Sequence, residues 1–401
     1  MGLKVFNSIT RKKEYFRMKG DKTGIYVCGI TPYDVTHLGH AFTYVFFDVL
    51  ARYLEYLNCN PVYVQNLTDI DDDILRKSKE LKKNWRKVVE ENTQIFWGDM
   101  RWLNCLQPDV YPRATDHIKD IIKIVQCLVK KKMAYVRNGN VYFDIETDKR
   151  FGKLSKLSKR RMLVIANERG NFPDDPNKRN PLDFVLWQAK KPGEPSWFSP
   201  WGQGRPGWHI ECSAMSVKYL GKTVDIHGGG ADLIFPHHEA SIAQSEYCNC
   251  QKFVRYWLHT GMVRYQGEKM SKSLGNLVLV KNLKKKYSQN VVRILLLSHH
   301  YRSGWEFKKS MLAGPVKINE LFKKVWQFQS GTGKSLDISQ HEKRFFEAID
   351  DDFNTVLALK ILENTAKLIL RSKKDDVSNA KAFFNKAFNI LGLVIEYNGR
   401  G

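Results

Sequence analysis

The N-terminal part of the chain alternates between short apolar runs and one amphipathic stretch. Residues 25–28 (Ile-Tyr-Val-Cys) and 62–67 (Val-Tyr-Val-Gln-Asn-Leu) have the aliphatic and aromatic composition of buried strands. Between them, apolar side chains recur every three or four positions, which predicts a helix with one buried face: Phe46, Val49, Leu50, Tyr53, Leu54 and Leu57. Such a strand–helix–strand unit predicts two parallel strands of a nucleotide-binding sheet.

Further along the chain the pattern changes twice. The sheet is expected to resume near residues 223–226, which leaves an insertion at about 105–205 whose centre is rich in Lys, Arg, Asn and Pro. We expect this insertion to lie at the edge of the sheet. Beyond about residue 280 the pattern is helical, and one late helix carries an apolar stripe of Phe384, Ala387, Phe388 and Leu391.

These patterns predict an α/β fold with a Rossmann-type parallel-sheet catalytic domain, an edge insertion and a C-terminal α-helical bundle. We assign residues 1–280 to the catalytic domain, 281–310 to a connecting region and 311–401 to the bundle. No run approaches the roughly 18 apolar residues of a membrane span, and the N-terminus lacks the apolar core of a signal peptide. We therefore expect a cytoplasmic protein with no membrane partner.

Net charge and cysteine usage indicate the kind of partner and the cellular compartment. The chain has 65 Lys and Arg against 42 Asp and Glu, a formal charge of +23, which favours a polyanionic partner such as nucleic acid. A lysine-rich genome would produce the same excess, so charge alone identifies no site. Seven cysteines at irregular spacings predict free thiols in a reducing compartment, available to bind a metal.

A first candidate for phosphate chemistry is the sequence His37-Leu38-Gly39-His40, which lies between the first strand and the first long helix. Imidazole donors here join the unpaired N–H groups and the positive dipole end of the helix, a combination that suits a polyphosphate. Gly39 permits a nucleotide to approach the backbone. Because a structural role is equally common for this short pattern, it needs a partner motif.

The partner motif is Lys269-Met270-Ser271-Lys272-Ser273, a basic loop after Gly267. The ammonium groups of Lys269 and Lys272 are suited to stabilise charge that develops on phosphates in a transition state. A solvated lysine loop is the alternative for this string alone. The two motifs together predict ATP-dependent chemistry.

A glycine run supplies the third nucleotide-binding element. Gly228, Gly229 and Gly230 end a predicted strand, where the backbone can contact an adenine or ribose, and Asp232 is positioned to accept the ribose hydroxyls.

With these motifs, the chain resembles the cysteinyl-tRNA synthetase family over nearly its whole length. The segments that carry the resemblance are 26–31 (Tyr-Val-Cys-Gly-Ile-Thr), 37–40, 68–72 (Thr-Asp-Ile-Asp-Asp), 204–215 (containing Trp-His-Ile-Glu-Cys-Ser-Ala-Met), 225–230, 235–239 (Phe-Pro-His-His-Glu) and 269–273. The resemblance implies that Cys28, Cys212 and His237 hold Zn²⁺ and that the thiolate of the substrate completes the coordination shell. It also implies amino-acid contacts from Gly29, Thr68, Trp208 and His227, and a nucleotide contact from Thr31.

Two features depart from the family pattern. Ser241 stands where family members usually carry a zinc-binding Glu one helical turn after the histidine, so we expect only three protein ligands; Glu239, two positions along the helix, points away from His237. The chain also ends at Gly401 without the expected anticodon-binding domain. Both features favour a related ligase that joins cysteine to glucosaminyl-inositol in mycothiol synthesis.

His227, the Trp-His-Ile-Glu-Cys stretch and the basic charge favour the synthetase instead. We therefore expect ATP, accompanied by Mg²⁺, to be attacked by the carboxylate of cysteine with the help of His37, His40, Lys269 and Lys272. The cysteinyl group would then pass to tRNA(Cys), held through its acceptor stem and by basic faces of the bundle of a monomeric enzyme. The amino-sugar ligase and a non-catalytic tRNA-binding paralogue remain the alternatives.

Overall fold

A computed structural model of the chain describes residues 2–33, 36–270 and 275–396. Its centre is a parallel sheet in the order β10–β9–β3–β4, formed by β3 (Thr23–Val27), β4 (Pro61–Gln65), β9 (Val224–Gly230) and β10 (Val254–Thr260). Helix α1 (Leu38–Tyr56) connects β3 to β4, as the apolar periodicity predicted. An N-terminal hairpin, β1 (Lys4–Asn7) and β2 (Lys12–Tyr15), packs against β10 through β1.

The long segment between β4 and β9 is mixed in structure. It contains the helices α2 (Asp72–Leu81), α3 (Trp85–Trp102), α4 (Ile118–Lys130), α5 (Lys159–Asn167) and α6 (Trp208–Leu220). It also contains an antiparallel sheet that the sequence did not predict: β5 (Ala134–Arg137), β6 (Asn140–Phe143), β7 (Phe184–Ala189) and β8 (Gly204–Pro206). The acidic run after residue 68 is a helix start, because the Asp71 side chain accepts the Asp73 N–H at the N-terminus of α2.

After β9, helix α7 (Glu239–Asn249) leads to β10. The chain then forms a small sheet of β11 (Val263–Tyr265), β12 (Glu268–Lys269) and β13 (Trp305–Glu306) and two helices, α8 (Val280–Lys284) and α9 (Gln289–Leu297). The C-terminal helices are α10 (Ala313–Gln327), α11 (Ser339–Asp350), α12 (Thr355–Arg371) and α13 (Ser378–Leu391). The predicted fold class is confirmed, whereas the three domain boundaries stay predictions.

A buried ion pair links helix α1 to the C-terminal part of the chain. Arg293 of α9 contacts the carboxylate of Asp48 on α1, and both side chains are at most 2% exposed. The Arg293 guanidinium also donates to the carbonyls of Leu103 (2.8 Å) and Leu391 (2.6 Å). Because the Arg293 side chain binds acceptors from α1, from the end of α3 and from α13, it holds these helices together.

The expectation that all seven cysteines are free thiols is wrong for one pair. Cys127 of α4 and Cys248 of α7 are joined as a disulfide, with Cα atoms 5.9 Å apart. The two helices pack side by side, a contact that cysteine spacing in the sequence does not reveal. No helix within the described ranges has the length and apolar composition needed to cross a bilayer.

Candidate active site

The chemistry-bearing segments meet at the carboxyl ends of the central strands. Cys28 directly follows β3, and the glycines 228–230 end the adjacent β9, so that the Cys28 N–H donates to the Gly228 carbonyl at 3.0 Å. Helix α1 begins shortly after β3, at His37. This edge is where open α/β sheets bind their ligands.

Two cysteines separated by 184 residues lie side by side here. The Sγ atoms of Cys28 and Cys212 are 3.6 Å apart, and both residues are buried. Burial opposes ionisation of either thiol, yet contacts with Cys28 and with the His237 ring hold the pKa of Cys212 well below its usual value. Burial and the neighbouring Cys212 raise the pKa of Cys28. Cys212 is therefore the thiol of the pair that ionises more readily.

Imidazoles complete this cluster. Ligand atoms of Cys28, His237 and His238 all lie within 4.8 Å of one another, and the Nε2 of His238 is 3.1 Å from the Cys28 Sγ. Two thiols and adjacent imidazoles in a buried site are the donor set that a soft divalent cation prefers. The cluster therefore fits the metal that the resemblance implies. His238 was not predicted, because the sequence alone does not tell which of two adjacent histidines faces inward.

Two further histidines contact the imidazoles of this cluster and fix their orientation. The Nδ1 of His237 lies 3.1 Å from the Nδ1 of His209, and the Nδ1 of His238 lies 2.8 Å from the Nε2 of His259. Burial lowers the pKa of His209 and His238 well below the usual value, and lowers that of His259 to about 3. An imidazole with a fixed partner on one nitrogen presents the other nitrogen to a metal.

Neither residue considered as a further ligand reaches the cluster. The Ser241 hydroxyl donates to the carbonyl of His237 at 2.9 Å, one helical turn back. The Glu239 carboxylate accepts the N–H groups of Leu154 (3.2 Å) and Ser155 (2.8 Å), so it is directed toward the insertion.

Asn66 joins the cysteine cluster to the neighbouring strand. Its Oδ1 accepts the Gly29 N–H at 2.9 Å and lies 3.5 Å from the Cys212 Sγ, while its Nδ2 donates to the Thr68 hydroxyl at 3.4 Å. A Cβ on Gly29 would lie 1.6 Å from the Asn66 carbonyl oxygen, so only glycine fits. Nothing in the sequence pointed to Asn66 beyond its place at the end of a predicted strand.

Aromatic rings enclose the space around the cluster. The Trp208 ring stacks on His237 with a centroid distance of 4.6 Å. His227 is fully buried against Tyr26 and Trp257, at centroid distances of 4.8 and 4.7 Å, and burial lowers its pKa. Neither of its ring nitrogens has a hydrogen-bond partner among the described residues. A buried polar ring in this state is suited to contact a ligand.

The start of α1 is shaped by its two histidines. The Nδ1 of His37 accepts the N–H groups of Gly39 (3.1 Å) and His40 (3.4 Å), and the two imidazoles stack with centroids 3.8 Å apart. A Cβ on Gly39 would lie 2.9 Å from the His37 ring. The glycine therefore allows the ring to cap the helix.

Five of the remaining nucleotide-binding candidates fall among the described residues: Thr31, Gly229, Gly230, Asp232 and Lys269. A Cβ on Gly229 would meet Leu233 at 2.7 Å, and one on Gly230 would meet the Asp232 carboxylate at 2.4 Å. Thr31 follows Cys28 by three residues in the loop before α1, with its carbonyl accepting the Tyr33 N–H. Lys269 ends β12, whereas the prediction for Lys272 lies outside the described residues.

Comparisons with known proteins agree on one family. Residues 15–317 match the model of the class I (C) tRNA synthetase catalytic domain, and residues 344–396 match the DALR domain. A cysteine–tRNA ligase of Thermococcus onnurineus is 42% identical, with 99% of this chain and 87% of that protein covered. One from Klebsiella pneumoniae is 45% identical, with coverages of 98% and 85%.

Solved structures show the same fold at low identity. A Mycobacterium tuberculosis methionyl-tRNA synthetase in complex with methionyl-adenylate superposes with a TM-score of 0.64 at 13% identity, covering 93% of this chain and 89% of that one. A leucyl-tRNA synthetase of Agrobacterium radiobacter gives 0.62 at 11% identity, with coverages of 93% and 83%. The catalytic-domain match and the similarity to cysteine–tRNA ligases over nearly the whole chain show that it belongs to the cysteinyl-tRNA synthetase family of class I aminoacyl-tRNA synthetases.

Proposed function

We propose that this protein activates cysteine with ATP and transfers the cysteinyl group to tRNA(Cys). The observation that carries the proposal is the meeting of Cys28, Cys212 and His237, from three distant segments, at the sheet edge where α1 begins. A buried thiol pair with adjacent imidazoles suits selection of a substrate by its sulfur atom.

Cys28, Cys212 and His237 would hold Zn²⁺, with His238 as the neighbouring nitrogen donor. When bound, the ion supplies a soft Lewis acid that gains far more from a thiolate than from the hydroxyl of serine. Because the Ser241 hydroxyl is committed to a backbone carbonyl, the protein supplies no oxygen ligand from that position. Selection of this kind needs no separate editing site.

Four residues would form the amino-acid pocket around the substrate. Gly29, which directly follows Cys28 and packs against the Asn66 carbonyl, would contact the substrate at the strand end, and the Trp208 ring would form a wall beside His237. The unpartnered nitrogens of His227 and the hydroxyl of Thr68 are polar groups available to the substrate. In the buried site these groups exclude water from the reacting carboxylate.

Adenylate formation would take place between this pocket and the start of α1. The cysteine carboxylate attacks the α-phosphorus of ATP, a new phosphorus–oxygen bond forms, and Mg²⁺-pyrophosphate leaves. The groups that stabilise the developing charge are cations and ring donors: His37, His40, Lys269 and Lys272. The residues that would bind the adenosine lie at or shortly after the ends of β3 and β9 and in the first turn of α1: Thr31, Gly39, Gly229, Gly230 and Asp232.

The second step passes the cysteinyl group to RNA. A hydroxyl of the terminal ribose of tRNA attacks the carbonyl carbon, and AMP leaves. A charge of +23 supports binding of the acceptor stem and of the phosphate backbone along basic faces of the C-terminal helices. We infer a monomer that works in the cytoplasm.

Two assays test this function on one preparation. ATP–pyrophosphate exchange should depend on cysteine and stay at background with serine. Labelled cysteine and ATP should then label tRNA and leave glucosaminyl-inositol unlabelled. Label in glucosaminyl-inositol would show that the acceptor is the amino sugar and not tRNA. Binding of tRNA without ATP–pyrophosphate exchange would identify a non-catalytic paralogue.

A further inference from the structure

A second cavity lies apart from the cysteine cluster. Its volume is about 390 Å³, within the range of small-molecule sites. Three aromatic side chains contribute to its wall: Tyr265, Tyr287 and Phe307. The Tyr265 and Phe307 rings have centroids 5.9 Å apart. Neither tyrosine hydroxyl has a hydrogen-bond partner in the part of the chain that the structure describes, so this wall offers ring faces and free hydroxyls together.

The rim of this cavity is cationic. Lys285, Lys286 and Lys309 line it and are exposed, and none of the three forms an ion pair with a described acidic residue. Unpaired ammonium groups beside aromatic rings are the combination that binds a nucleotide, because the rings stack on the base and the lysines neutralise the phosphate.

One wall of the cavity is built by the segment that braces the start of α1. Residues 277–279 line the cavity, and in the same segment the Val278 carbonyl accepts the Leu38 N–H at 2.8 Å. The Val280 N–H donates to the Thr36 carbonyl at 3.1 Å, and Leu279 pairs with His37. The cavity therefore adjoins the candidate ATP site through backbone contacts, while none of its described lining residues belongs to that site.

We propose that this cavity binds a nucleoside monophosphate unit, with the base stacked on Tyr287 and Tyr265 and the phosphate held by Lys285, Lys286 and Lys309. Two sources have this chemistry: a free mononucleotide, and one unstacked nucleotide of an RNA chain. The proposal is independent of the proposed function, since the site is separate from the residues assigned to adenylate formation.

The test measures binding with the active site blocked. The full-length protein is saturated with a non-hydrolysable cysteinyl-adenylate analogue, and equilibrium dialysis at about 150 mM salt follows labelled AMP, labelled UMP and a labelled single-stranded RNA hexamer. We expect Tyr287→Ala to weaken binding about tenfold or more, because stacking is lost. Lys286→Ala should weaken it less and reduce its salt dependence. Lys119→Ala is the matched control, because Lys119 is an exposed lysine of α4 that pairs with no acidic residue in the described ranges.

Each outcome decides between the sources or removes the proposal. Binding of the mononucleotides, lost in Tyr287→Ala, supports a free nucleotide as ligand, and binding of the hexamer alone supports a nucleotide of RNA. Absence of binding, binding unchanged in Tyr287→Ala, or equal competition by inorganic phosphate overturns the proposal. Cysteine-dependent exchange measured on the same variants reports on folding, so that failure of this site is distinguishable from failure of the proposed function.

Discussion

Replacement of Gly29 by alanine should disable the active site through one steric contact. The added Cβ would lie 1.6 Å from the Asn66 carbonyl oxygen, and 3.0 Å is the closest that such contacts reach. One of the two backbones must therefore move by about 1.4 Å. This movement is resisted by the parallel pairing of β3 with β4, in which Val27 faces Gln65.

The displacement would reach the cysteine cluster directly. The Asn66 side chain contacts the Gly29 N–H and the Cys212 Sγ, and its neighbour Thr68 belongs to the proposed amino-acid pocket. A misplacement of about 1 Å costs on the order of a hundredfold in rate. We expect kcat/KM for cysteine in ATP–pyrophosphate exchange to fall about a hundredfold in Gly29→Ala.

The assay is steady-state exchange with varied cysteine, together with the midpoint of urea unfolding. Gly98→Ala is the control, because Gly98 lies within α3 and its Cβ would meet nothing within 4 Å. That control should keep its exchange rate and gain about 0.5–1 kcal/mol in stability. Exchange by Gly29→Ala within threefold of the unchanged protein would refute the steric reasoning.

Three further predictions concern other parts of the molecule. Cys212→Ser should lose bound zinc, measured by atomic absorption, and exchange activity, whereas Cys59→Ser should keep both because Cys59 lies outside the cluster. Burial, with neighbouring carboxylates, raises the pKa of Asp71 to about 6. Because the folded protein holds this proton more tightly than the unfolded chain, folding stability falls as pH rises from about 4 to 6. Asp71→Asn should therefore be more stable than the unchanged protein at pH 7, by about 1–2 kcal/mol in urea unfolding. Arg293→Met should destabilise the protein by about 3–5 kcal/mol, because the buried Asp48 carboxylate keeps only Arg52 as a cationic partner and the Leu103 and Leu391 carbonyls lose their donor.

The controls separate these effects from general damage. Glu80→Gln, at an exposed position near the other end of α2, should leave the pH dependence of unfolding unchanged. The double variant Asp48→Leu with Arg293→Met should recover part of the lost stability, since both fully buried charges are removed while Arg52 keeps its contacts with the carbonyls of Asn104 and Asn389. Zinc retained by Cys212→Ser, or a pH profile unaltered by Asp71→Asn, would contradict the respective assignment.

The sequence by itself determined the local elements and the chemical class. Periodicity of apolar residues predicted α1, its flanking strands and the late helix α13, because burial of one helix face imposes a fixed spacing on the chain. The motifs gave the family, which the comparisons confirm.

Only the tertiary structure decided which distant groups meet. The pairing of Cys28 with Cys212 across 184 residues, the inward position of His238 and the contacts of Asn66 depend on strand order and helix packing. The same holds for the Cys127–Cys248 disulfide, the Asp48–Arg293 pair and the cavity beside Tyr287. A sequence pattern reports how a segment divides its faces between water and core, whereas the partner that each face meets is set by the packing of the whole chain.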